Sequence, residues 1–241
     1  MLAEGKSDPG QVRKINEDSY LILNGTAAQL YAVADGMGGH KSGEVASSLA
    51  VEILQKYFAE LLAEHHSAEE WEDHLRTAFV QANREILTLS MENDQHNGMG
   101  TTLTAAVVDN NDLYVSHIGD SRLYILHEGS IKKITDDHSL VAELLRQGEI
   151  TLEEAKDHPR KNILLRALGI ALEMELAFYH CQLANDDFLL LATDGLTNLL
   201  GEQEILQIAE NFVPLEAVDK MIELANVRGG HDNITVLLAK R

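Results

Sequence analysis

Asp35, Asp120, Asp194 and Asp232 are the residues around which chemistry could be organised. Each stands where a short apolar run begins or ends, and Asp35 and Asp194 are followed by glycine. Strands of one sheet, or of two stacked sheets, can bring such run ends together across long separations in sequence. Carboxylates assembled in that way repel one another unless cations hold them. The donors are all oxygen, with no cysteine or histidine cluster at metal spacing, which suits Mg2+ or Mn2+ rather than zinc. Two such ions about 3.5–4 Å apart lower the pKa of a shared water and make a nucleophile at neutral pH. The plain alternative is four separate turn aspartates, since Asp-Gly is an ordinary turn pair.

Both readings meet in the stretch Val33-Ala34-Asp35-Gly36-Met37-Gly38-Gly39-His40. Residues 30–34 form an apolar run of the kind that makes a buried strand. Asp35-Gly36 predicts a turn at its end, and Gly38-Gly39 would let the backbone pass close to a ligand. An acid on a strand end beside bare backbone seats a hard cation. A strand, an Asp-Gly turn and a helix would leave the same trace.

The elements that must position these acids follow from periodicity. Apolar residues at helical spacing predict helices over 44–62 and 68–91, the second opened by Ser67 and Glu70 as a capping box. Residues 20–23, 30–34, 102–108, 113–118, 123–127 and 131–134 read as strands, and the last four, joined by tight turns, as an antiparallel meander. The cluster at 7–10 reads as a turn. Residues 137–169 read as short helices, capped by Ser139 and Thr151, around an irregular polar middle. Strands at 188–193 and 234–239 enclose helices over 202–210 and from Pro214 onward.

Three prolines in 241 residues, and no Ser/Pro/Gly-rich linker, predict a single domain. With 39 acids against 19 bases the net charge is −20, which argues against a nucleic-acid or anionic-membrane partner. The one cysteine, Cys181, excludes an intrachain disulfide, suits a reducing compartment, and reads as a small buried hydrophobe. No run of membrane-spanning length and no signal-peptide pattern occurs, so a cytoplasmic location is the default expectation. His65, His66, His96 and His117 have no constellation around them.

Six segments, taken in order, resemble the successive motifs of the metal-dependent Ser/Thr protein phosphatases of type 2C, in their bacterial form. They are Arg13 with Asn16-Glu17-Asp18, the 33–40 stretch, Gly100-Thr101-Thr102, Ile118-Gly119-Asp120-Ser121-Arg122, Ala192-Thr193-Asp194-Gly195-Leu196, and Gly229-Gly230-His231-Asp232-Asn233-Ile234-Thr235. The resemblance implies an α+β fold: a four-layer α-β-β-α sandwich of two antiparallel sheets flanked by helices, with a metal centre at one end. It implies hydrolysis of phosphoserine and phosphothreonine by a hydroxide held between two Mn2+ or Mg2+ ions. Asp35 would bridge the ions, the Gly36 carbonyl would bind one, and Asp194 and Asp232 would complete the other. Asp18 and Glu17 would act through waters, with Asn233 behind the ligands, and Asp120 with Asp194 would form a third, weaker site. Arg13 would grip the phosphate.

His40 is the only histidine of the central motif, and the animal-type position for one, directly after Asp-Gly, holds Met37. A general-acid role and a structural role for His40 are both open. Residues 137–169 match the flap of bacterial members, where Arg160, Lys161 and Arg166 would either meet an acidic phosphopeptide or form a solvated face. Partners implied are phosphoproteins, including the Ser/Thr kinase that the enzyme opposes, with the chain acting as a monomer. A catalytically silent relative would have lost some of these acids, and a two-metal phosphodiesterase or nuclease would carry a basic groove.

Overall fold

The computed structural model describes residues 1–38 and 42–241, apart from the side chain of Lys156. Strands β1 (Leu2–Asp8), β2 (Asp18–Asn24) and β3 (Ala28–Met37) precede the long helices α1 (Ser42–Phe58) and α2 (Ala68–Glu92). Then come β4 (Gly100–Thr101), β5 (Leu103–Asp109), β6 (Asp112–Ile118), β7 (Arg122–His127) and β8 (Ser130–Lys133). Short helices α3 (Leu140–Arg146) and α4 (Leu152–Lys156) lead to β9 (Ala177–Gln182) and β10 (Phe188–Ala192). The chain closes with α5 (Asp194–Thr197), α6 (Glu202–Asn211), α7 (Pro214–Val227) and β11 (Ile234–Lys240). The predicted capping box is present: Ser67 accepts from the Glu70 amide, and Glu70 accepts from that of Ser67.

Two antiparallel sheets stack face to face. One has the order β1-β11-β10-β7-β8; the other has β2-β3-β5-β6-β9, with β4 paired to β3. Alternation along each strand decides which slab of core a residue enters. In β3, Leu30, Ala32 and Ala34 pack beneath α1 and α2 with Phe58, Trp71 and Phe79. Tyr31 and Val33 point the other way, meeting Leu189, Leu191 and Leu237 of the facing sheet. By the same alternation Asp35 belongs to the inter-sheet side. Leu190, Val236 and Leu238 face outward beneath α6 and α7. The result is the expected four-layer α-β-β-α sandwich.

Three expectations are corrected. Residues 102–134 are not one meander: β5–β6 lie in one sheet and β7–β8 in the other. The tight link at Gly119 carries the chain across the sandwich, with φ +113° and Thr102 Cβ only 2.5 Å from where a β-carbon would stand. Short connections predict antiparallel hairpins, but strands buried on both faces carry no mark of sheet membership. Next, Ser7 and Asp8 belong to β1, which pairs with β11 along its whole length, and β9 forms a sheet edge that periodicity does not reveal. Finally, Asp35-Gly36 does not end its strand, since β3 continues through Met37 and pairs there with β4.

Gly36 is needed for approach rather than for turning. A β-carbon there would collide with the carbonyl of Gly43 in the first turn of α1, and one at Gly43 would stand 2.7 Å from the Gly36 carbonyl. Helix and strand thus touch backbone to backbone beside Asp35. Gly36→Ala forces them apart, and should destabilise the protein by about 2–4 kcal/mol, as overpacking against rigid backbone does. Chemical denaturation checks this; a loss within about 0.5 kcal/mol would show that the contact yields freely.

Candidate active site

Asp18 and Asp35 are directly opposite each other in the β2–β3 register. Like charges so placed are destabilising in a sheet, and this pair points into the space between two sheets. Asp18 survives there because the facing sheet supplies donors. The hydroxyls of Thr235 and Thr193 donate to Asp18 Oδ2 at 2.7 and 2.9 Å. Since Thr235 gives its proton to Asp18, the 2.7 Å contact with Ser7 runs from the Ser7 hydroxyl, which in turn accepts from the Asn16 amide. The other oxygen, Asp18 Oδ1, is buried without a hydrogen-bond partner among the described residues.

Asp35 is fixed through its backbone. Its N–H donates to Thr102 Oγ1 at 2.9 Å, and its carbonyl accepts from the Thr102 amide and the Thr101 hydroxyl. Ser121, just beyond Asp120, bonds Thr102 Oγ1 at 2.8 Å and ties the β6–β7 crossing to the same clamp. Asp194 opens α5 directly after β10, held close by Gly195, where a β-carbon would collide with the carbonyl of Asn233.

Burial first, and then the neighbouring acids, perturbs each carboxyl. Burial, followed by Asp18, Asp194, Asp120 and Asp232, drives the Asp35 pKa well above the carboxylate range. Burial raises Asp18 to about 7 against the pull of the two threonines, with Asp194 and Asp232 adding to the rise. Asp120 is also raised to about 7, by burial and then Asp194. Asp194 is raised by burial and Asp232, while Arg122, Asn198 and a hydrogen bond with Asp35 oppose the shift. Sequence separations of more than 200 residues are thus closed into one cluster of five acids. Among the described residues, no three Asp, Glu, His or Cys side chains are grouped to hold an ion by themselves. Backbone oxygen and water would complete any coordination, as Mg2+ and its relatives allow. An orphaned carboxylate oxygen within an all-oxygen cluster fits such a cation.

The remaining predicted residues take up distinct places. Arg13 donates to Asp232 Oδ2 at 2.9 Å, and both side chains are solvent-accessible. Asn233 ties its strand to the 9–17 loop, donating to the Pro9 and Ile15 carbonyls and accepting from the Glu17 amide. Glu17 braces the strand against the helix: its carboxylate accepts from the Gly43 amide at the head of α1, and its carbonyl accepts from Gly36 and Ser47. His40, with Gly39 and Lys41, lies outside the described residues. Residue-by-residue reading missed Thr193, Thr235, Thr101, Thr102 and Ser121 as supports, although all five stand inside the quoted motifs. Gly10 was missed too; its φ of +77° turns the loop against Asp232 and Gly230, where a β-carbon would not fit.

The 137–169 segment hangs from the same backbone. The His138 amide donates to the Gly119 carbonyl and the Gly119 amide to His138 Nδ1, while Thr101 and Leu168 exchange backbone hydrogen bonds at the far end. Burial would raise Asp137, but Arg122 holds its carboxyl below the usual range through contacts of 2.7–3.1 Å. His117 is buried, and desolvation lowers its pKa to about 3. Its neutral ring donates from Nε2 to the Asp136 carbonyl, leaving Nδ1 to accept from Thr104.

Stripped of divalent cations, the cluster should cost stability. Asp18 titrates near 7 when folded and near 4 when unfolded, so in that window the folded protein binds the extra proton. Stability contributed by its protonation therefore falls as pH rises from about 4 to 7 and is absent above. Asp18→Asn keeps an acceptor for both threonines without the charge. In EDTA at pH 8 it should raise Tm by about 5 °C, with the gain shrinking towards pH 5. Mn2+ should raise the Tm of the original protein and move that of the variant less. A lower Tm for the variant at pH 8 would count against the repulsion.

Comparison with known proteins agrees with this arrangement. The chain matches the family described as Protein phosphatase 2C over residues 11–233. It is 44% identical to the serine/threonine phosphatase stp of Listeria monocytogenes, covering all of this chain and 96% of that one. It is 37% identical to the protein phosphatase PhpP of Streptococcus pneumoniae, covering 96% and 94%. The crystal structure of a serine/threonine phosphatase from Staphylococcus aureus superposes with TM-score 0.92 at 34% identity, over 99% and 94% of the two chains. That of the PstP catalytic domain, solved in complex with two manganese ions, does so with TM-score 0.87 at 36% identity, over 99% and 97%. With carboxylates suited to divalent cations at the end of its sandwich, the chain belongs to the protein phosphatase 2C family of metal-dependent Ser/Thr protein phosphatases.

Proposed function

We propose that Asp18, Asp35, Asp194 and Asp232, with the carbonyl of Gly36, hold two Mn2+ or Mg2+ ions, and that Asp120 with Asp194 takes a third more weakly. The observation that carries this reading is the buried Asp18 carboxylate, its Oδ1 left unpartnered, directly opposite Asp35 in the strand register. Bound there, the ions lower the pKa of water and offset charge on a phosphoryl group. Asp35 stays fixed by Thr101 and Thr102, so little reorganisation accompanies binding. Asp18 stays fixed by Thr193 and Thr235.

Arg13 is the group that meets the phosphate. Its guanidinium rests on Asp232 at the rim, and a cation on Asp232 would weaken that pairing and free the fork for phosphate oxygens. Asn233 and Gly10 hold the loop that carries it. The whole chain acts as one catalytic unit, a monomer, with residues 137–169 as a flap. Its substrates are phosphoproteins, and we place it opposite a Ser/Thr kinase in the cytoplasm; the single cysteine and net charge of −20 support a reducing setting away from nucleic acid.

Hydrolysis of a phosphothreonine peptide should require Mn2+ or Mg2+, stop in EDTA, and be abolished in Asp35→Ala. Activity that survives both changes overturns the assignment. Arg13→Ala removes a charge-assisted hydrogen bond, and should raise KM about 10- to 100-fold with a smaller change in kcat. Unchanged KM would take the phosphate from Arg13.

A further inference from the structure

A groove of ≈ 650 Å³ runs between the flap and the segment from Asp194 to Glu202, with Asp120 and Asp194 on its floor. It is therefore continuous with the carboxylate cluster. One wall is the apolar face of α3 and α4, with Val141, Leu145 and Leu152. No residue of α3 is fully buried and Leu152 is 70% exposed, so this face is only partly covered by the protein itself. Leu199 and Leu200 form the opposite wall.

The charges along the groove are unequal in their freedom. Arg122 and Lys133 are committed to Asp137, and Lys161 has a partner of its own. Asp157 on the flap side and Glu202 across from it are exposed, with no hydrogen bond or ion pair from their side chains among the described residues. Cations on Asp120 and Asp194 would offset those two acids and leave Asp157 and Glu202 facing the groove. Nor does the basic cluster of the flap counter them as a unit, since Arg166 is paired with Glu175 at 2.6 Å. A long-range field from a net charge of −20 acts in the same direction.

We propose that this groove binds the residues flanking the phosphoserine or phosphothreonine, selecting a basic residue between Asp157 and Glu202 and an apolar one against Val141, Leu145 and Leu152. The proposal rests on the reading of the carboxylate cluster as the reaction centre. An extended segment entering from that centre would cover the half-exposed face of the flap helices, which accounts for their apolar surface.

The test compares phosphothreonine peptides that differ only in flanking residues, with p-nitrophenyl phosphate as a substrate that carries no flanking residues into the groove. At low salt with Mn2+, lysine flanks should exceed glutamate flanks in kcat/KM by roughly fivefold or more, as two rim ion pairs allow. The double variant D157K/E202K should abolish or invert that ratio while p-nitrophenyl phosphate turnover stays unchanged. L145S/L152S should erase a preference for leucine over serine flanks in the same assay. A lysine-to-glutamate ratio that D157K/E202K leaves untouched, or an original preference for glutamate, overturns the proposal while the reaction centre stands. Metal-independent turnover of p-nitrophenyl phosphate overturns the reaction centre and the proposal with it.

Discussion

Two carboxylates on neighbouring strands, Asp18 and Asp35, share the closed space between two sheets, and the rest of this structure answers to that repulsion. Water cannot solvate them fully: burial raises the pKa of both, and the charge of Asp18 adds to the rise at Asp35. Such a pair persists only where the backbone leaves no alternative. Hydrogen bonds from the facing sheet supply that constraint: Thr193 and Thr235 reach across to Asp18, while Thr101 and Thr102 clamp the Asp35 backbone from within its own sheet. On the proposed function, that arrangement would be held in place before any ion arrives.

Rigidity at this end comes from close backbone contact more than from side-chain packing. Gly36 lies on Gly43, Gly195 on Asn233, and Gly10 on Asp232, at three junctions where a methyl group has no room. Two of these junctions join chain segments that carry acids or the arginine, and the third seats the Asp35 strand on α1. Glu17 and Asn233 then brace the loops from behind, so the cluster is framed by main chain on several sides.

The 137–169 segment shares these anchors. Its entry is bonded to Gly119, next to Asp120, and its exit to Thr101, next to the Asp35 clamp. The groove beneath it ends on Asp120 and Asp194. On the proposed function, substrate contacts along the groove and the chemistry at its end would be referred to the same few residues. Arg122 links the two, compensating Asp137 at the base of the 137–169 segment while easing the charge on Asp194.

By itself the sequence determined the long amphipathic helices and most buried strands, and it singled out the acids at the strand ends, because each is written in local periodicity or in an ordered set of short motifs. The capping box at Ser67 and the start of α7 at Pro214 were legible for the same reason. Strands β1 and β9 were not, since edge strands are stabilised by their neighbours and carry weak patterns of their own. Sheet membership on either side of Gly119 was equally hidden, because strands buried on both faces look alike whichever sheet they join. Asp35 could be picked out as a strand-end acid, but only the tertiary structure decided that its strand runs on to Met37 and that Asp18 lies opposite it. The same holds for the threonines that hold Asp18, for Glu17 as a brace of α1, and for Arg13 resting on Asp232. These are meetings of residues up to more than 200 positions apart, and their energies depend on burial and distance, which a linear chain does not contain.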